Sequence, residues 1–144
     1  MNGLDAVALG IMRFEGGQLQ DRNMRNCNPG NLRASALTDK KDSAGYCVFP
    51  NMSTGYLALL RELRFKFTGQ SSTGITPDST LLAFFDKYAP AEDSNDPLKY
   101  AGFIAQFIAP VKGLQFGVST RLSEIWTPED GLPWDSQLSK FLSL

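Results

Sequence analysis

Apolar side chains at Leu4, Val7, Ala8, Ile11 and Met12 recur at the three-to-four-residue spacing of one helix face. They predict an amphipathic helix over 4–15, stopped by Gly16-Gly17. Residues 18–51 are polar and rich in turn formers, with Asn28-Pro29-Gly30-Asn31 the clearest turn. The run Tyr46-Cys47-Val48-Phe49 before Pro50 reads as extended, so a small β-hairpin is expected in this stretch. The helical period returns with Tyr56, Leu59, Leu60, Leu63 and Phe67, capped by Ser53 and closed by Gly69. A third helix is expected over 80–88, capped by Ser79 and stopped by Pro90. A fourth starts at Asp96-Pro97, places Tyr100, Phe103, Ile104, Phe107 and Ile108 on one stripe, and ends at Pro110. Two weaker helices are expected near 119–126 and 135–143. The pattern gives an α+β, mostly helical chain of 144 residues, read as one domain over 1–144 with no repeat or low-complexity linker.

Composition narrows the chemistry. The chain has no histidine. Nucleophiles that hand their proton to an imidazole are therefore excluded, and so are His-ligated zinc sites. Two cysteines cannot make a Cys-only metal site. Asp, Glu, Tyr and Lys are the acid–base groups that remain. A net charge of −1 argues against general nucleic-acid binding. The average hides an asymmetry: residues 1–72 carry nine bases and six acids, whereas 73–144 carry five and nine. The first half is the one expected to face an anionic partner. No apolar run is long enough for a membrane span, and the N-terminus, with Asp5 and no early basic residue, makes a poor signal peptide.

The stripe of the first helix runs 4, 7, 8, 11 and then 15, which is glutamate. The apolar pattern thus turns a carboxylate toward the core at a helix end. Burial raises a carboxyl pKa, and a proton retained near neutral pH is what a general acid requires. A plainer reading pairs Glu15 with Arg13, Arg22 or Arg25, which would lower that pKa. The stretch Arg25-Asn26-Cys27-Asn28-Pro29-Gly30-Asn31-Leu32-Arg33 is similarly open. Its asparagines can bond their own turn, or can bind hydroxyls, amides and carboxylates of a polar ligand.

These two segments together carry a resemblance. Phe14-Glu15-Gly16 followed by 25–33 resembles phage-type peptidoglycan-cleaving proteins of the lysozyme-like superfamily, related to goose-type lysozymes and lytic transglycosylases. Val48-Phe49-Pro50 through Gly55-Tyr56 and Leu59-Leu60 resembles a second block of that family. Tyr88-Ala89-Pro90 with Glu92, Asn95 and Tyr100 resembles a third. The likeness covers about 6–109 and leaves 110–144 as a helical C-terminal extension. It implies a lysozyme-like fold, no cofactor and no metal. Glu15 takes the place of the catalytic acid. Asn28, Gly30, Asn31, Leu32 and Arg33 match the turn that lines the sugar cleft. Tyr88 stands at the cleft edge and Tyr100 near the glutamate. Cys27 departs from the family, which has asparagine there.

The reaction so implied is cleavage of the β-1,4 bond between N-acetylmuramic acid and N-acetylglucosamine in bacterial peptidoglycan. A lytic transglycosylase does this with a single glutamate; a hydrolytic muramidase adds a second carboxylate. The candidates for that second group are Asp21, Asp39 and Asp42, each also readable as a solvated loop residue. A non-catalytic virion or wall-binding protein of the same fold and a chitin-active glycosidase are the competing classes. The protein is expected to act in the periplasm or cell wall. Delivery would be by a phage particle, lysis or a dedicated secretion machine, with a virion or secretion-system partner. Cys27 and Cys47 lie at a spacing that admits a disulfide worth about 3 kcal/mol, or two ordinary thiols. Trp126 and Trp134 are read as packing residues, with sugar stacking the alternative.

Overall fold

The computed structural model describes residues 2–18, 22–93, 95–112 and 115–131. The helix expected over 135–143, Trp134 and Asp21 lie outside them. Among the described residues six α-helices follow in order: α1 (Gly3–Gln18), α2 (Arg22–Arg25), α3 (Met52–Phe67), α4 (Leu81–Tyr88), α5 (Pro97–Lys112) and α6 (Leu122–Ile125). Short 3₁₀ turns cover Ala91–Asp93 and Pro128–Asp130.

The apolar stripes become one contiguous core. α1 lies against α5 and α3, and α4 packs on α5. Leu4, Val7, Ala8 and Ile11 of α1 meet Tyr100, Ile104 and Ile108 of α5 and Leu59, Leu60 and Leu63 of α3, all buried. Trp126 is fully buried, edge-on to Phe67, and its indole N–H donates to Gly131 O at 2.9 Å. No described helix is long and apolar enough to cross a membrane.

Several helix ends differ from the sequence expectation. Gly16 and Gly17 sit inside α1, not at a left-handed cap. Glycine weakens a helix by about 1 kcal/mol without forbidding it. Pro110 likewise lies within α5, where so close to the C-terminus it removes a single intrahelical bond. Asn51 caps α3 in place of Ser53, its Oδ1 accepting from Thr54 N at 2.8 Å. Thr80 caps α4 in place of Ser79, accepting from Ala83 N at 3.1 Å. Asp96 does cap α5 through Lys99 N. Gly69, at φ +75°, closes α3 as expected.

The expected β-hairpin is not formed: no strand occurs among the described residues. In this stretch one isolated antiparallel bridge joins Lys41 and Cys47, and a second, elsewhere, joins Thr80 and Arg121. The reason lies in the partners. Cys47, Val48 and Phe49 donate to Leu32, Lys40 and Asn26, three separate places in the chain, so no continuous ladder can propagate. The 26–49 stretch is an irregular loop cross-tied by buried polar bonds. Cys27 and Cys47 lie within it as free cysteines, the first half-buried and the second buried.

Candidate active site

Glu15 sits on the last turns of α1, on the face that the apolar stripe turns inward. Its residue surface is 9% exposed. Tyr100 Oη, from α5, donates to Glu15 Oε1 at 2.9 Å. Asn31 Nδ2, from the loop, donates to Oε2 at 3.0 Å. Burial pushes the Glu15 carboxyl above the ordinary carboxylate range. The hydrogen bonds from Asn31 and Tyr100 and the nearby Arg22 charge pull against that rise without cancelling it. Arg22 therefore acts on Glu15 through its charge while forming no ion pair with it among the described residues.

Each partner is itself fixed. The Tyr100 ring is stacked between Phe14 at 3.9 Å and Phe85 at 4.3 Å. Its phenol is held far above its usual pKa, chiefly by burial and then by the charges of its neighbours, so it remains a donor. Asn31 holds a left-handed backbone, φ 49°, a conformation asparagine tolerates better than most side chains. Its Oδ1 is buried with no hydrogen-bond partner in the protein. A buried acceptor left open costs free energy unless something else satisfies it.

The loop presents Asn31 through a network of its own. Asn28 is wholly buried. Its Nδ2 donates to Leu32 O and Cys47 O at 2.9 and 3.0 Å, and its Oδ1 accepts from Leu32 N at 2.9 Å. Asn26 Nδ2 donates to Asp42 Oδ2 at 2.8 Å. Asn28 and Asn26 thus bond the loop, and only Asn31 of the three asparagines reaches Glu15. Tyr88 Oη donates to Gly30 O at 2.6 Å and pins the turn to α4. A Cβ on Gly30 would stand 2.7 Å from that hydroxyl, so the glycine is required by close approach. A Cβ on Gly55 would lie 1.8 Å from Cys27 O, which sets how closely α3 can approach the loop.

A cleft of about 540 Å³ opens over Glu15. That volume suits a site for a small ligand. Of the sequence-predicted residues, Glu15, Gly30, Asn31, Leu32, Arg33 and Tyr88 line it. Asn28 and Tyr100 stand behind its surface, one bracing the loop and the other the carboxyl. Cys27 and Cys47 do not line it. Among the second-carboxylate candidates, Asp39 is exposed and outside the lining. Asp42 spends Oδ1 on Ala44 N and Tyr46 N and Oδ2 on Asn26, bonds that hold its carboxyl below the usual range.

Sequence reasoning missed Glu62 and Lys66 of α3, which form an ion pair at the cleft, and also Tyr46 and Lys87. The Glu62/Lys66 spacing of four residues reads in a sequence as an ordinary helix-surface pair, so it gave no site signal. Among the described residues no three of His, Cys, Asp and Glu gather into a set that could hold a metal ion.

Compared with known proteins, the chain matches no family model, no curated protein and no solved structure.

Proposed function

We propose that this protein cleaves the β-1,4 bond between N-acetylmuramic acid and N-acetylglucosamine in bacterial peptidoglycan, as a lytic transglycosylase of lysozyme-like fold with Glu15 as its single catalytic group. The observation that carries the reading is the carboxyl of Glu15. It is buried at a cleft, held through both oxygens by Tyr100 and Asn31, and shifted toward keeping its proton. A general acid in glycan cleavage needs that combination.

In this mechanism protonated Glu15 gives its proton to the glycosidic oxygen as the bond to muramic C1 breaks. The resulting carboxylate then takes the proton of the muramic 6-hydroxyl as O6 bonds to C1. The products are a 1,6-anhydro end and a free N-acetylglucosamine hydroxyl, with no water consumed. Tyr100 and Asn31 stabilise the carboxylate between the two transfers. Delivery to the wall would be by a phage particle, lysis or a secretion machine.

A hydrolytic muramidase is the second reading, and Glu62 favours it, being a second carboxylate at the same cleft. Its ion pair with Lys66 weighs against a role as free base. Mass spectrometry of muropeptides released from purified walls separates the two: anhydro ends support the transglycosylase, and reducing ends replace it with the hydrolase. Cleavage of chitin oligomers without wall lysis would move the substrate class to chitin.

A further inference from the structure

Two arginines share one aromatic ring in this cleft. The Arg22 guanidinium carbon lies 4.2 Å from the centre of the Tyr46 ring, and that of Arg33 lies 4.4 Å from it. Arg33 Nη2 also donates to Tyr46 Oη at 3.0 Å. All three side chains line the cleft that holds Glu15. Contact with a ring engages the face of a guanidinium and leaves its in-plane N–H groups for other partners.

No carboxylate among the described residues takes those N–H groups in an ion pair. The ion pair at the cleft is Glu62 with Lys66. Asp42 is near enough for its carboxyl to feel the Arg22 charge, yet both its oxygens are already committed to Asn26 and to its own turn. Glu15 has both oxygens bonded to Tyr100 and Asn31. Two guanidiniums at this cleft, with no carboxylate of the described residues paired to either, are suited to a carboxylate supplied by the ligand, which a fork of N–H donors binds bidentately.

We propose that Arg22, Arg33 and Tyr46 form a carboxylate-binding subsite in the Glu15 cleft, which selects glycan strands carrying acidic substituents over neutral strands of the same N-acetylated sugar. The proposal rests on the glycan-cleaving reading of the cleft and adds its specificity. In peptidoglycan the carboxylate comes from the lactyl ether of muramic acid where the stem is absent, or from the stem peptide where it is present.

The test measures dissociation constants on the Glu15→Gln protein, which binds without turnover, by calorimetry. Three probes are used. One is the N-acetylglucosaminyl-N-acetylmuramic acid disaccharide with a free lactyl group. The second is the same disaccharide with a dipeptide stem. The third is neutral diacetylchitobiose. At least one acidic probe should bind about tenfold tighter than chitobiose, and the arm that does so identifies the source of the carboxylate. Added salt should shrink that ratio. In Arg22→Gln/Arg33→Gln the ratio should fall to about one. Arg33→Gln alone, at an exposed side chain, should lower it partway, and this keeps the test open if the double variant folds poorly.

Equal binding of acidic and neutral probes overturns the subsite and leaves the glycan reading standing. A ratio that survives both arginine changes overturns it as well. Binding of no probe at all removes the glycan reading and the subsite with it.

Discussion

At the residue scale, Glu15 couples proton affinity to stability. Its folded pKa is raised above the unfolded value of about 4.3. The native state therefore binds its proton more tightly than the unfolded chain does. Whatever stability this gives is fully present below the unfolded pKa and is lost as pH rises through the folded one. Glu15→Gln cannot ionise, so its stability relative to the wild type should rise between pH 4 and pH 8. Thermal melts across that range check the sign. Tyr100→Phe keeps the stacked ring and deletes a donor that favours ionised Glu15. Its pH–rate profile should have the basic limb moved upward, with lower kcat and a stability loss of about 1 kcal/mol. An unmoved limb would reduce Tyr100 to a packing residue.

The position of Glu15 was legible because its place on the 4–7–8–11 stripe dictates inward aim. What it would bond to was legible in part. The plain reading paired it with arginine and the family resemblance set Tyr100 near it; the structure pairs it with that tyrosine, 85 positions away, and with a loop asparagine. Asn28 was misjudged as a ligand contact for a related reason: composition does not say whether a turn asparagine spends its amide on its own loop, and this one spends all of it there.

At the element scale, periodicity located the main helices while their ends followed local chemistry that the pattern does not carry. Glycines and a proline were read as stops at Gly16 and Pro110, yet packing of α1 and α5 carries both helices past them. The absent hairpin has the same lesson in reverse. The residues 46–49 have strand-like composition, but their backbone donors serve three different segments. The close approach of α3 to the loop is a sharper test of this architecture. Gly55→Ala would drive a methyl group into Cys27 O, an atom of a backbone that is itself left-handed at φ 50°. The loop and α3 must separate, so stability should fall by about 3 kcal/mol, and glycan cleavage should fall with it because the same loop presents Asn31 to Glu15. Chemical denaturation measures the first and wall lysis the second. A Gly55→Ala protein as stable as the parent would mean that this approach is not made.

At the scale of the whole molecule, the near-zero net charge divides into a basic first half and an acidic second half, and the cleft draws Arg22, Arg33 and Lys66 from the former. The absence of histidine is compatible with the proposed chemistry, because a single buried carboxyl can both give and take the proton. The central claim is that Glu15 cleaves glycan strands. Its most direct test is incubation of purified peptidoglycan with wild-type protein and with Glu15→Gln, followed by mass spectrometry of the soluble fraction. The account predicts muropeptides with anhydro ends from the wild type and none from the variant. Release of the same muropeptides by Glu15→Gln, or none by a folded wild type, would contradict it.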